Sequence, residues 1–234
     1  MTLQAEHCPT CAGRGWIRSD IPIGAPGFGK LLRCKCKVQE DAARLQRLSG
    51  LSDREQSLRL EDIDVISTIG TRNMVMALRE FTLFPKGILT IHGTPGNAKT
   101  VGLQAAVNEL RRMYVEAIYV TLFDLVSHIR EAFNDKREIK SETAYDRLCH
   151  WEQVQVLAID EFDKIRHQTD WVLDQVTDLI DKRYRTGLDS KTGTLIAMND
   201  SPDDLPDWIR SRLQDSNNQV IENLDPDMRS TKGR

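Results

Sequence analysis

Long hydrophobic runs are absent from this sequence of 234 residues. No apolar stretch approaches the roughly 20 residues that a helix needs to span a bilayer, so we expect no membrane segment. The first 14 residues contain Cys, Pro, Gly and charged residues where a secretory signal peptide would need a continuous apolar stretch. We therefore expect a cytoplasmic protein.

A strong net charge is also missing, because 32 basic residues nearly balance 35 acidic ones and leave a formal charge of −3. The overall charge thus gives no argument for a nucleic-acid partner. The distribution is uneven, however, since residues 1–50 carry eight Lys or Arg against four Asp or Glu. A small basic segment suits a nucleic-acid contact, and a solvated surface is an equally good alternative.

The length suits one α/β domain with a small appendage and is too short for two full catalytic domains. Short apolar runs predict strands at 88–92, 117–121, 154–159, 194–198 and 220–224. Apolar residues at helical spacing lie between them, most clearly over 103–110, 122–133 and 172–180. Alternating strands and helices predict a doubly wound α/β fold, in which helices cover both faces of a parallel sheet.

The most specific motif follows the first of these strands and reads Gly93, Thr94, Pro95, Gly96, Asn97, Ala98, Lys99, Thr100. It is typical of a P-loop, whose backbone N–H groups at a helix N-terminus point at phosphates. Lys99 would reach the β and γ phosphates of ATP, the Thr100 hydroxyl would bind Mg²⁺, and Val101 would complete the site. Ala98 replaces the usual Gly, which would cost strain if its φ is positive. A turn that merely joins a strand to a helix is the alternative.

Polar residues follow two further strands. Asp160 would hold Mg²⁺ directly or through water, and Glu161 would act as the general base for the attacking water. Asn199 could orient that water or contact the γ-phosphate. Taken singly, these residues could also be a solvated acidic turn and a helix cap or turn residue.

Two arginines, Arg210 and Arg212, follow the strand that ends before Asn199. One interpretation is an arginine finger from a neighbouring subunit, because a guanidinium group neutralises charge in the transition state of phosphoryl transfer. A surface helix is the alternative.

The ordered set of motifs resembles the AAA+ ATPases, and in particular their DnaC/DnaI/IstB-like helicase-loader branch, from about residue 58 onward. Further similarity lies in KGIL at 86–89, LIDKRY at 179–184 and SRL at 211–213. The resemblance implies a Walker A motif at 93–100, a Walker B motif at Asp160 and Glu161, sensor 1 at Asn199 and an arginine finger at Arg212. Few residues follow the last of these motifs, so we expect no full helical lid, and Arg229 is the one candidate for a second sensor.

Four of the five cysteines lie close to the start, as Cys8, Cys11, Cys34 and Cys36. Two close pairs separated by a 22-residue loop predict a zinc ribbon or knuckle, because four thiolates satisfy a tetrahedral ion. Disulfides and incidental free thiols are the alternatives, and His7 could replace one ligand. Trp16 and Phe28, in the basic loop between the pairs, could stack on single-stranded bases.

We therefore expect residues 1–38 to form a zinc-binding module (the N-terminal module), residues 39–60 a helical connector and residues 61–234 an AAA+ ATPase domain (the ATPase core). The resemblance implies a slow ATPase, stimulated by a partner or DNA, that loads a replicative helicase onto single-stranded DNA. It also implies a homo-oligomer with ATP sites at subunit interfaces. A transposition helper that delivers a transposase, and an adaptor that binds ATP with little hydrolysis, remain alternatives.

Overall fold

The computed structural model describes residues 8–26, 28–40, 51–113, 115–134, 144–189 and 192–228. Its first element is an antiparallel hairpin of β1 (Trp16–Arg18) and β2 (Leu31–Arg33). The four cysteines cluster beside this hairpin, with partly buried Ile17 packed against them. An ion pair between Arg33 and Glu116 joins the hairpin to the rest of the protein.

A five-stranded sheet forms the centre of the fold. Its strands are β3 (Gly87–His92), β4 (Ala117–Thr121), β5 (Val156–Asp160), β6 (Gly193–Ala197) and β7 (Gln219–Glu222). All neighbours pair in parallel, in the order β4-β5-β6-β3-β7. Each strand lies within two residues of its predicted limits, and the predicted doubly wound parallel sheet is confirmed.

Helices connect the strands and cover both faces of the sheet. Among the described residues, we distinguish the α-helices α1 (Asp53–Ser57), α2 (Ile69–Leu83), α3 (Lys99–Arg112), α4 (Leu122–Asn134), α5 (Ala144–Gln153), α6 (Asp170–Leu188) and α7 (Asp207–Leu213). Short 3₁₀ helices lie at Leu60–Asp62, Phe162–His167 and Pro202–Asp204. Within the described ranges, no helix is both long enough and apolar enough to cross a membrane.

Strands β3 to β6 are buried at nearly every position because most of their residues are apolar, whereas the edge strand β7 is only partly buried. In β5, Leu157 and Ile159 belong to one hydrophobic cluster, and Val156 and Ala158 belong to the other. This division follows from the alternation of side chains along a strand. The first cluster includes residues of α4 to α7, and the second includes residues of α2 and α3. Polar residues lie at the carboxyl ends of the strands, where open α/β sheets bind their ligands.

One charged side chain lies inside this apolar fold. Arg183 of α6 is only 1% exposed, and burial lowers the pKa of its guanidinium group. The group donates hydrogen bonds to the carbonyl oxygens of Trp151, Val154 and Gly193 and to the Thr194 hydroxyl. Arg183 therefore ties α6 to β6 and to the end of α5.

Candidate nucleotide-binding site

The loop from Gly93 to Ala98 joins the end of β3 to the start of α3, as the P-loop prediction requires. Gly93 and Gly96 have φ angles of 132° and 81°. A Cβ atom on Gly93 would lie 2.0 Å from the carbonyl oxygen of Asn223, and one on Gly96 would lie 2.0 Å from Asp227 Oδ1. The backbone after β7 therefore requires a glycine at residue 93, whereas at Gly96 the requirement comes from the positive φ, because the Asp227 side chain could move aside.

Ala98 is the N-cap of α3 and has a φ of 66°, in the left-handed region. Ala98 therefore has the positive φ at which we expected an alanine in place of the usual glycine to cost strain. A Cβ atom in this region costs about 1 kcal/mol. The loop therefore carries local strain at the residue directly before its lysine.

The Lys99 ammonium group lies over the loop and is almost fully buried. It donates to the carbonyl oxygens of Gly93 at 2.7 Å and Thr94 at 2.6 Å, and to Asn97 Oδ1 at 3.1 Å. Oxygen atoms already surround the cation at the mouth of the loop. Phosphate oxygens can replace them without moving the lysine far, which suits the assigned role.

Asn97 holds the loop against the segment after β7. Its Nδ2 donates to the carbonyl oxygen of Asn223 at 2.5 Å, and Asn223 Nδ2 donates to the carbonyl oxygen of Asn97 at 3.2 Å. Both residues are fully buried. The Thr94 hydroxyl adds a third link by donating to the Asp225 carbonyl oxygen at 2.6 Å. Asn223 and Asp225 belong to no sequence motif, and we did not predict their contacts with the loop.

The two acids of the predicted Walker B motif lie where β5 ends. Asp160 is 4% exposed, and its Oδ1 accepts the Glu161 N–H at 2.8 Å. Its Oδ2 accepts the Tyr119 hydroxyl at 2.8 Å. Glu161 has a left-handed φ of 56° and forms an ion pair with Lys164. These angles and contacts direct the two carboxylates differently, although the residues are adjacent in sequence.

A cavity of about 490 Å³ brings these elements together, within the size range of ligand pockets. Among the predicted residues it is lined by Pro95, Gly96, Asn97, Ala98, Lys99, Thr100, Val101, Asp160, Glu161 and Asn199. Gly93 and Thr94 belong to the same loop but do not line the cavity. The remaining lining residues, which we did not predict, are Asp62, Ile63, Asp64, Asp163, Met198 and Met228.

Asp62, Ile63 and Asp64 form a wall of the cavity that no sequence motif indicates. Its acids are engaged locally: Asp62 accepts the Arg59 N–H, and Asp64 accepts the Ile66 N–H. The signal for this wall is weak in the sequence, because the loop is some 30 residues from the P-loop and meets it only in the fold.

The oxygen donors in the cavity fit a magnesium ion. The Thr100 hydroxyl and the Asp160 carboxylate both line it, and Mg²⁺ prefers oxygen ligands while keeping several of its waters. Asn199, two residues after the end of β6, is held by its backbone N–H, which donates to Asp163 Oδ1 at 2.9 Å. Residues that follow β3, β5 and β6 therefore line one cavity.

Arg212 does not line this cavity. Its Nε donates to Asp181 Oδ1 at 2.8 Å, and its guanidinium carbon lies 5.1 Å from the centre of the Tyr184 ring. Asp181 and Trp208 line a separate surface cavity with it. The fold thus keeps Arg212 apart from the P-loop of its own chain. The second-sensor candidate Arg229 lies outside the described residues, as does His7 near the cysteines.

The four cysteines form a compact cluster of buried thiols. Their sulfur atoms lie within 4.8 Å of one another, with Cys8 and Cys34 3.7 Å apart and Cys11 and Cys36 3.5 Å apart. A tetrahedral zinc ion with Zn–S bonds of about 2.3 Å places sulfurs about 3.8 Å apart. All cysteines are free of disulfide bonds. The residues therefore fit one zinc ion.

Backbone donors also favour thiolates in this cluster. The N–H groups of Cys11 and Thr10 lower the pKa of Cys8 to about 6, and the Gly15 N–H donates to the Cys11 sulfur at 3.3 Å. Burial, in contrast, raises the pKa of Cys36 to about 12. A metal cation at the centre of the cluster would favour the thiolate form of all four cysteines, because metal-bound thiols lose their protons.

Comparisons with known proteins agree with this geometry. The family model described as the ATPase family associated with various cellular activities (AAA) matches residues 89–219, more than half of the chain. A search of curated proteins gave no match.

Solved structures share the fold at low sequence identity. The DnaI crystal structure superposes with a TM-score of 0.56 at 19% identity, covering 78% of this chain and 99% of DnaI. The DnaC helicase loader gives 0.55 at 17%, covering 74% and 99%. The replication initiator DnaA bound to AMPPCP and single-stranded DNA gives 0.58 at 20%, covering 75% and 51%. The chain thus spans about half the length of DnaA.

Proposed function

The chain belongs to the AAA family of ATPases, and from this premise we propose that it loads a replicative helicase onto single-stranded DNA in an ATP-dependent step. The observation that carries the proposal is the single cavity lined by Lys99, Thr100, Asp160, Glu161 and Asn199. The shared fold with the DnaC helicase loader and with DnaI supports the choice among the many functions of this family.

In the proposed reaction, Lys99 and the backbone N–H groups of the P-loop bind the phosphates of ATP. Thr100 and Asp160 would hold a magnesium ion, which would neutralise charge on the phosphates. Glu161 accepts a proton from a water that attacks the γ-phosphorus, and Asn199 orients that water or the γ-phosphate. ADP and phosphate are the products.

Two substitutions separate binding from turnover. Lys99→Ala should abolish nucleotide binding, whereas Glu161→Gln should retain binding and lose turnover, because only the second removes the general base. Nucleotide affinity and phosphate release are measured side by side, with Lys86→Ala and Glu80→Gln as matched controls outside the cavity. Unchanged turnover in Glu161→Gln would remove Glu161 from this role.

We further propose that Arg212 acts on the nucleotide of a neighbouring subunit in a homo-oligomer. Its distance from the cavity of its own chain and its partial exposure support action across an interface. Arg212→Ala and Lys99→Ala chains, each inactive alone, should regain some ATPase activity when mixed, because one interface then pairs an intact finger with an intact P-loop. If both variants assemble and the mixture stays inactive, Arg212 does not act in trans.

The N-terminal module is proposed to contact the helicase or single-stranded DNA. Trp16 and Phe28 are 47% and 43% exposed, and guanidinium groups lie over both rings, Arg33 at 6.0 Å and Arg18 at 5.4 Å. Exposed aromatic rings next to cations are suited to stacking on bases. Trp16→Ala should weaken binding to single-stranded DNA if this face is used, and should leave it unchanged if the module binds only protein.

An adaptor that binds ATP with little hydrolysis is the second candidate, favoured by the strained Ala98 before Lys99. ATP turnover with and without single-stranded DNA distinguishes the two. A loader should show turnover that DNA or a captured helicase stimulates, whereas an adaptor should show nucleotide binding alone. Capture of a transposase in place of a helicase would redirect the proposal to transposition.

A further inference from the structure

Tyr119 does not line the cavity but contacts Asp160, one of the residues that do. It lies in β4, next to β5, where Thr121 is paired with Asp160 in the sheet register. Tyr119 is two residues before Thr121, so its side chain leaves the sheet on the same face as the Asp160 side chain. It is 5% exposed, and its hydroxyl donates to Asp160 Oδ2 at 2.8 Å.

This contact fixes the orientation of the Asp160 carboxylate. One oxygen accepts the Glu161 N–H and the other accepts the Tyr119 hydroxyl, each at 2.8 Å. A carboxylate held at both oxygens cannot rotate without breaking a buried hydrogen bond. The lone pairs that remain are therefore aimed in set directions before any ion arrives.

The hydroxyl is a dependable donor, because a tyrosine has an ordinary pKa of about 10 and carries its proton at neutral pH. Gln104 of α3, whose Nε2 donates to Glu55 Oε1 of α1 at 3.3 Å, also lies near Tyr119.

We propose that Tyr119 is a positioning residue, which holds Asp160 in the orientation that receives the hydrated magnesium ion of Mg·ATP. The inference rests on the proposed nucleotide site and assigns that site a residue without a sequence motif. Hydrogen-bond partners behind metal-binding side chains commonly change metal affinity by about 10- to 100-fold when removed. A buried tyrosine that only fills space would have no such effect.

The test is Tyr119→Phe, which removes the hydroxyl and keeps the ring. Binding of a fluorescent ATP analogue is titrated with Mg²⁺, and affinity in excess chelator is measured separately. We expect the Mg²⁺ midpoint to rise about tenfold, with little change in the magnesium-free affinity. Thr90→Val is the matched control, because it removes a buried hydroxyl of β3 that has no hydrogen-bond partner among the described residues.

A double-variant cycle tests whether Tyr119 acts through Asp160. In an Asp160→Asn background, Tyr119→Phe should produce no further shift in the Mg²⁺ midpoint. An unchanged midpoint in Tyr119→Phe, or an equal further shift in the Asp160→Asn background, would overturn the inference. A wild-type protein whose nucleotide binding ignores Mg²⁺ would instead contradict the proposed function, so the two failures are distinguishable.

Discussion

The N-terminal module and the ATPase core bury their side chains in different ways. In the ATPase core, two apolar clusters cover both faces of a parallel sheet. In the described part of the N-terminal module, the buried cluster consists of four cysteines, while Trp16, Ile23, Leu31 and Leu32 are exposed. A segment this short with so little apolar burial needs a cross-link or a metal to fold. Stability should therefore depend on metal in one region and on packing in the other.

The largest effect should come from loss of the zinc ion that we propose for the N-terminal module. Structural zinc contributes on the order of 10 kcal/mol of apparent binding energy in small domains. A double Cys8→Ser, Cys11→Ser variant should lose the order of the hairpin, while its ATPase core unfolds at the same midpoint and still binds nucleotide. Elemental analysis measures the zinc content, and amide hydrogen exchange measures the order of the hairpin. Thermal unfolding and nucleotide titration measure the stability and the binding of the ATPase core.

Cys149→Ser is the control for this experiment, because Cys149 lies on α5 outside the cluster. It should keep one zinc ion per chain and a protected hairpin. A metal-free wild-type protein with a protected hairpin would contradict the expected dependence of the N-terminal module on metal, since the module would then fold without it.

The next effect concerns the buried cation of the ATPase core. Arg183→Met keeps an unbranched side chain but leaves the carbonyl oxygens of Trp151, Val154 and Gly193 without this donor. Buried acceptors without donors cost about 1 to 3 kcal/mol each, so we expect the free energy of unfolding to fall by about 3 kcal/mol or more. Denaturant unfolding followed by circular dichroism measures it.

Arg185→Met, on the same helix, provides the matched control. Arg185 is exposed and forms an i,i+4 ion pair with Asp181, so its loss should cost less than about 0.5 kcal/mol. Equal costs for the two variants would show that the core does not depend on the buried guanidinium group.

A smaller effect is expected at Asp225, which links the segment after β7 to the start of α2. Its carboxylate accepts the N–H groups of Gly70 and Thr71. Burial opposes ionisation of this group, but the hydrogen bonds outweigh burial and lower its pKa. Asp225→Ala should cost about 1 kcal/mol at neutral pH, as the loss of a helix cap does.

The pH dependence tests the cause of that loss. A carboxyl group with a lowered folded-state pKa contributes its full stability above its unfolded-state value and loses it as the pH falls through the lowered one. The difference in the free energy of unfolding between wild type and Asp225→Ala should therefore become smaller as the pH falls below 3.8, the ordinary pKa of Asp. A constant gap would attribute the loss to packing.

The smallest expected effect is a gain in stability from Ala98→Gly. Glycine tolerates the positive φ of this residue, and relief of strain should exceed the entropy cost, for a net gain of up to about 1 kcal/mol. Ala105→Gly, in the interior of α3, should instead cost about 1 kcal/mol. Thermal unfolding of both variants gives the signs, and a loss in Ala98→Gly would mean that the loop is not strained.

Motifs made of neighbouring residues were predictable, and contacts between distant segments were not. The P-loop from Gly93 to Thr100 could be recognised because its residues act through consecutive backbone groups. The roles of Tyr119 and Asn223 could not be recognised, because each residue contacts the site from a segment that is distant in the sequence. Asn223 is 126 positions from Asn97, and neither an isolated tyrosine in an apolar strand nor an asparagine just after a strand has a distinctive pattern.

The five strands, the P-loop, the acids at the end of β5 and the cysteine pairs can be recognised in the sequence, because periodicity and spacing are local properties of the chain. The packing of the segment after β7 on the P-loop glycines, and the position of Asp62 to Asp64 in the lining of the cavity, follow from the tertiary fold. So does the position of Arg212 outside the cavity of its own chain. These features depend on the order of strands in the sheet, β4-β5-β6-β3-β7, which brings together residues that are far apart in the sequence.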